Sequence, residues 1–345
     1  MENSLPEKYR PLSWEEVKGQ DKVVEILKQQ VITKKGLAKA YIFSGSSGIG
    51  KTTLARLFFM AMNCESPKNG NPCGKCTNCQ NLKYNMNEIN ASDSRGIDDM
   101  RNITNEMYYK GLTGGNYKGI LLDEVHMLTK PAFNCLLKPL EESPQHCIWF
   151  LCTTESAKIP ATIRTRCQIY KLSPIRWKDI HNRLKEVSDK EKITISDNDL
   201  WQIAQNSDNN IRQSLHLLEK YVVIKDINKV LSSETNISFL ESIRDKNIKD
   251  LWKLLVSFED EYIDIDTFFN SLKYDLSMCI KIKMNLPMGE ISPYRLNKYK
   301  KIASQIQLER LIKTLDIILE LQSRISGVWD YNSLFLMTLI KLEKI

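Results

Sequence analysis

Residues Gly45-Ser46-Ser47-Gly48-Ile49-Gly50-Lys51-Thr52 match G-x-x-x-x-G-K-[ST] and follow the apolar run Ala40-Tyr41-Ile42-Phe43. A loop of this kind works only between a strand and a helix, so it constrains the fold more than any other stretch of the chain. Its glycines let successive backbone N–H groups turn inward around phosphate oxygens. Lys51 then reaches the β and γ phosphates, and the Thr52 hydroxyl ligates Mg²⁺. A helix opening at Thr52, with Thr53, Leu54, Leu57 and Phe58 on it, adds the positive end of its dipole. The expectation is a nucleotide site over residues 45–53, with ATP and Mg²⁺ as cofactors.

From residue 40 to 170, short apolar stretches at 41–43, 88–90, 119–122, 147–152 and 168–172 alternate with helical patterns. That alternation predicts an α/β domain, a parallel sheet covered by helices on both faces. Ser173-Pro174 ends it. From Trp177 to about Lys225 the pattern is wholly helical, with Leu215, Leu217 and Leu218 among the apolar positions, and after a polar link near 226–236 the remainder is helical too. At 345 residues the chain suggests two or three domains. We place them at 1–174 (nucleotide-binding, with a polar insert at about 62–82), 175–232 (small helical) and 233–345 (all-helical). Leu308, Leu311, Ile312, Leu315 and Leu319 form one apolar stripe at helical spacing, either helical core or a protein–protein surface.

The excess of 49 Lys and Arg over 42 Asp and Glu gives +7, which fits an anionic partner without proving one. The start lacks a basic region followed by an apolar core, and no run of about 18 apolar residues occurs. A cytoplasmic protein without membrane association is expected.

The run Ile120-Leu121-Leu122 delivers Asp123 and Glu124 at a strand end. Ligands collect at that edge of parallel sheets. Phosphoryl transfer needs a metal on the phosphates and an oriented water, so Asp123 is assigned to Mg²⁺ and Glu124 to the water. A pair of acids after a strand is weak evidence alone and becomes strong beside the phosphate loop.

Of nine cysteines, Cys64, Cys73, Cys76 and Cys79 are spaced C-x8-C-x2-C-x2-C within a polar insert holding Pro67, Gly70, Pro72 and Gly74. So little apolar content cannot hold a loop together, whereas four thiolates on tetrahedral Zn²⁺ can. An iron–sulfur cluster is the main competitor, although the final x3-C-P of that pattern is missing. Cys135, Cys147, Cys152 and Cys167 lie in or beside apolar stretches and read as small buried side chains.

Glu7-Lys8-Tyr9-Arg10-Pro11, Val17-Lys18-Gly19-Gln20, the phosphate loop, Asn90 to Asp98, Asp123-Glu124-Val125-His126 and Thr165-Arg166-Cys167 occur in that order. In this the chain resembles the AAA+ clamp-loader ATPases, nearest to the bacterial DNA polymerase III gamma/tau subunit, with features of the replication factor C small subunits. The likeness spans roughly residues 5 to 220; the last third matches only in being helical. It implies a helical lid after the AAA+ domain and a C-terminal collar that assembles subunits. It also favours zinc in the cysteine insert.

The resemblance further implies that Thr154 is the sensor-1 residue, that Arg212 is the sensor-2 arginine, and that Arg166 is an arginine finger for the neighbouring subunit's ATP. Tyr9, Arg10, Pro11 and Val17 would line the adenine pocket. DNA backbone would be held where the helix after Arg95, running to about Lys110, begins, with Arg95, Gly96, Ile97 and Arg101 as contacts, and no bases read. Asp98 and Asp99 weaken that case, since ordinary capping explains them. Lys281, Lys283, Arg295, Lys298, Lys300 and Lys301, with Tyr294 and Tyr299 between, read by default as a solvated helical face. Pro139 departs from the family inside a segment otherwise read as one helix, 133–142, and predicts a kink or an early end.

The function expected is the ATPase motor subunit of a sliding-clamp loader. Its partners would be other loader subunits in a pentameric hetero-assembly with several copies of this chain, a sliding clamp, and primer–template DNA. A branch-migration motor is the nearest alternative and leaves the cysteine insert unexplained. A non-hydrolysing structural subunit is another, opposed by the intact Lys51, Asp123 and Glu124.

Overall fold

Short apolar runs rich in aromatic and branched residues form strands β1 (Ala40–Ser44), β2 (Met86–Asn90), β3 (Lys118–Asp123), β4 (Cys147–Thr153) and β5 (Gln168–Lys171). The structure is a computed structural model that describes residues 4–109, 115–207, 209–231, 239–243, 245, 247, 249–253, 265–287, 293–325 and 331–343. All four strand pairings are parallel and the order is β2-β3-β4-β1-β5. Central β1 and β4 are buried at every position, as strands covered on both faces must be.

The chain divides into two compact units, Met1–Val187 with Ser207–His216, and Ser188–Asn206 with Leu217–Ile345. In the first, the sheet is joined by helices α1 (Leu5–Lys8), α2 (Asp21–Thr33), α3 (Lys51–Asn63), α4 (Thr77–Gln80), α5 (Leu82–Asn85), α6 (Ile97–Glu106), α7 (Lys130–Glu142) and α8 (Ala161–Arg164). Alternation along each strand sends successive side chains to opposite faces. On one face Ile42, Ile120, Leu122 and Trp149 meet Met100 and Ile103 of α6 and Phe133, Leu136 and Leu140 of α7. On the other, Tyr41 and Phe150 stack at 5.7 Å and meet Phe58 of α3 edge-on.

Phe150 is fully buried among these rings. Phe150→Ala is expected to destabilise the first unit by about 3–5 kcal/mol through transfer and cavity costs. Ile169→Ala, on the exposed side of edge strand β5, should stay within about 0.5 kcal/mol. Denaturant midpoints followed by circular dichroism check the contrast.

Three expectations need correction. Helix α7 runs through Pro139 to Glu142 instead of ending there. Proline lies in its last turn, so its missing N–H removes one late hydrogen bond, and the Pro139 carbonyl is capped by the Ser143 hydroxyl, which in turn accepts from Trp149 Nε1. The helix expected to reach about Lys110 ends at Glu106; residue 110 lies outside the described residues. The third concerns the C-terminal stripe, described below.

The chain continues through α9 (Trp177–Glu191), α10 (Asp197–Gln205), α11 (Ile211–Ile224) and α12 (Ile227–Leu231), then helices Ile265–Lys283, Pro293–Gln305, Leu308–Ile325 and Tyr331–Glu343. Within the second unit the helix Ile265–Lys283 packs on the two that follow it. In helix Leu308–Ile325 the buried positions are Leu311, Thr314, Ile318 and Leu321, whereas Ile312 and Leu319 are exposed. The helical period is as expected, but the inward face is rotated because Thr314 takes a core position. Tyr299 is buried and its hydroxyl is bonded to Asp275, so it belongs to the packing and is closed to stacking partners. The side chains of Tyr294 and Arg295 lie outside the described residues.

Candidate nucleotide site and cysteine cluster

The turn from β1 into α3 requires left-handed backbone at Gly48 (φ +67°) and Gly50 (φ +107°). At Gly48 a Cβ would also lie 2.1 Å from Asn210 Oδ1, so a side chain there would have to displace Asn210 as well as strain the backbone. Lys51, nearly buried, donates from Nζ to the carbonyls of Gly45 and Ser46, both at 3.0 Å. An ammonium has three donors, so one is left for a ligand. Two strands away, Asp123 ends β3, and its Oδ2 accepts the Thr52 hydroxyl at 2.8 Å. The loop and the carboxylate therefore meet at the sheet's C-terminal edge, beside the strand-order crevice.

Asp123 Oδ1 accepts the Glu124 N–H at 2.9 Å. Glu124 itself is left-handed (φ 50°), which turns its carboxylate away from the strand direction. Its Oε2 lies 3.5 Å from the Thr154 hydroxyl and 3.4 Å from His126 Nδ1, while His126 Nε2 faces Glu155 at 3.5 Å. Thr153 Oγ1 completes the surround of His126 at 3.2 Å. Behind them the Cys152 thiol is pushed well up by burial and then by the Asp123 charge, which keeps it protonated.

A cavity of about 340 Å³ opens over these groups. Its walls include Tyr9, Arg10, Pro11, Val17, Ser47 to Thr53, Asp123, Glu124 and Arg212. Gly45 and Ser46 stand behind the wall and hold Lys51, and Thr154 reaches it through Glu124. Arg166 is elsewhere: its Nε donates to Glu141 at 2.6 Å and its Nη1 to the Thr162 carbonyl at 2.6 Å. Arg95, Gly96, Ile97 and Arg101 are also outside the cavity. There the Gly96 N–H is taken by Asp99 at 3.1 Å, and Arg101 pairs with Asp98 at 2.8 Å.

Several cavity residues are not marked by any motif. Arg183, 3% exposed, donates to the Tyr9 carbonyl at 2.7 Å and to Glu186 at 3.1 Å. Lys18 also donates to Glu186, at 2.8 Å. Burial raises the Glu186 carboxyl, but Lys18 and Arg183 outweigh it and hold the group below its usual range. Asn210 donates to the Ser47 carbonyl at 3.0 Å and accepts the Gln213 N–H at 3.1 Å. It thus caps the helix bearing Arg212 and ties it to the phosphate loop.

The four insert cysteines converge, with all Sγ atoms within 4.8 Å of one another. Cys73 and Cys79 Sγ are 3.9 Å apart, close to the roughly 3.8 Å that a tetrahedron of about 2.3 Å metal–sulfur bonds requires. The N–H groups of Lys75 and Cys76 point at Cys73 Sγ, and that of Cys73 at Cys64 Sγ. The Lys75 and Cys76 bonds bring the Cys73 thiol down to about 6, whereas burial raises the Cys64 and Cys79 thiols; it is the convergence of the four sulfurs that suits the set to a metal ion. Of the other predicted cysteines, Cys147 and Cys152 are buried, and Cys135 and Cys167 are half-buried.

The sheet order β2-β3-β4-β1-β5 with a phosphate loop after β1 is that of the AAA+ nucleotide-binding fold, which a solved structure shares. A point mutant of Thermotoga maritima RuvB superposes with a TM-score of 0.51 at 20% identity, covering 91% of each chain. Residues 19–176 match the family DNA polymerase III, delta subunit, and residues 182–221 the RCF1/5-like AAA+ ATPase lid domain. The DNA polymerase III subunit tau of Bacillus subtilis is 31% identical over 326 residues, 90% of this chain and 58% of that protein. The subunit gamma of Buchnera aphidicola subsp. Schizaphis graminum is 36% identical over 237 residues, 68% of this chain and 65% of that one. The chain resembles the AAA+ clamp-loader ATPases, specifically the DNA polymerase III gamma/tau subunits. It spans about half the length of the curated relatives it matches.

Proposed function

We propose that this chain is the ATPase motor subunit of a DNA sliding-clamp loader, using ATP to open the clamp and load it on primer–template DNA during replication. The observation that carries the ATPase reading is the Thr52–Asp123 bond at the cavity wall, with Glu124 beside it. In the mechanism, Lys51 and the loop N–H groups hold the phosphates, and Thr52 and Asp123 are the Mg²⁺ ligands. Glu124, oriented by Thr154 and His126, takes a proton from the attacking water. Arg212 senses the γ phosphate from helix α11. Arg166 completes a neighbouring subunit's site. Lid and collar occupy 175–232 and 233–345. Likeness to gamma/tau across both matched regions favours a loader over another AAA+ motor.

The cysteine cluster holds Zn²⁺ in this reading, as a closed structural site without catalytic duty. The partners are further loader subunits in a pentameric hetero-assembly, the clamp, and DNA bound without sequence preference, in the cytoplasm. No helix among the described residues is long and apolar enough to cross a membrane. The test is ATP turnover of the reconstituted assembly. Clamp and primer–template together are expected to stimulate it, and Lys51→Ala to abolish the stimulation. Turnover indifferent to the clamp would overturn the loader reading; stimulation that survives Lys51→Ala would overturn the assignment of this site.

A further inference from the structure

We propose that the metal-bound cysteine insert braces the nucleotide pocket through Trp14, so that metal and nucleotide bind with positive coupling; this rests on the nucleotide reading of the cavity. Trp14 is almost fully buried, yet it sits between Pro11 and the pair Glu16 and Val17, which line the cavity. Its indole N–H donates to the Gly70 carbonyl at 2.7 Å, and its backbone N–H to Asn71 Oδ1 at 2.8 Å. Asn71 returns a bond to Glu15 at 3.0 Å. Three polar links thus join residues 14–15 to residues 70–71.

Those two residues belong to a tight turn within the insert. Lys68 and Asn71 exchange backbone bonds of 3.0 and 2.9 Å, and Asn69 and Gly70 both have positive φ, the pattern of an Asn-Gly type I′ turn. The turn lies between ligands Cys64 and Cys73, and Cys73 follows Asn71 by two residues. Cys64 directly follows α3, whose first residue is Lys51. The cluster therefore reaches the cavity by two routes, along α3 to the phosphate end and across the turn to the Tyr9–Val17 wall. Four uncrosslinked thiols in a polar loop would leave the turn anchored on one side only.

Coupling of this kind is reciprocal, with typical factors of roughly 5–150. The test uses the full chain, titrated with a non-hydrolysable ATP analogue with and without Zn²⁺, and with Zn²⁺ in the presence and absence of the analogue. Each ligand is expected to tighten the other about 5-fold or more, and Trp14→Phe, which keeps the ring and removes the indole donor, should shrink that factor. Hydrogen exchange on the wild-type chain gives an independent reading, since metal removal should speed exchange at residues 14–17 and 64–85 while strands β1 to β5 keep their protection. Equal analogue affinity with and without metal, or unchanged exchange at 14–17, overturns the brace. Exchange rising across the whole sheet also overturns it, making the metal a general staple. A zinc-loaded chain that binds no analogue refutes the nucleotide reading instead, while the exchange experiment still decides the brace.

Discussion

On the proposed loader reading, Arg166→Ala is expected to lower the ATP turnover of the assembly by roughly 10³-fold or more, with ATP affinity nearly unchanged, because guanidinium fingers act on charge that develops during phosphoryl transfer. The residue stands outside its own chain's cavity, engaged with Glu141 and the Thr162 carbonyl. The pair is partly exposed, Arg166 at 29% and Glu141 at 50% of their side chains, so releasing it costs about 1 kcal/mol or less. That is small beside the roughly 4–7 kcal/mol that a 10³- to 10⁵-fold rate factor represents. Mixing supplies the decisive control. Subunits carrying Lys51→Ala keep a good finger, and subunits carrying Arg166→Ala keep a good loop. Assemblies containing both should regain turnover at interfaces that pair the two intact halves, whereas a finger acting within its own chain would leave the mixture dead.

The half of the site that is local in sequence was legible, and the half assembled from distance was not. The loop at 45–53 and the strand-end acids announce themselves because phosphate chemistry dictates both residue type and spacing. The strands were legible for a related reason: those buried on both faces read as unbroken apolar runs such as Ile120 to Leu122. Arg183 reaches the cavity, and Asn210 the phosphate loop, from positions more than a hundred residues away, and no motif spacing dictates either. No motif marks Trp14; its hydrogen bond to Gly70 exists only once the insert folds back over α2. Pro139 was misread because propensity counts the lost bond and cannot see that Ser143 and Trp149 close the helix end. Thr314 shows the same limit, since in an excess of leucines periodicity fixes a helix but leaves its inward face open.

Glu124→Gln separates binding from chemistry most cleanly. The left-handed backbone at Glu124 costs about 1 kcal/mol or more, a strain that sequence alone does not reveal and that serves to swing the carboxylate toward Thr154 and His126. Glutamine has the same shape and can keep the contact with Thr154, so fold and ATP affinity should be preserved. What it lacks is a basic oxygen for the water proton. Turnover is therefore expected to fall by roughly 10²- to 10⁴-fold, the usual share of a general base. Single-turnover mixing with radiolabelled ATP reads the chemical step directly, and the ATP-bound assembly should accumulate with the clamp held. Thr154→Val tests the orienting contact and should cost less, because it leaves the base in place. If Glu124→Gln slowed the chemical step less than Thr154→Val, the base would have to be sought elsewhere on the cavity wall, with Glu124 reduced to a charge that shapes the Asp123 end of β3.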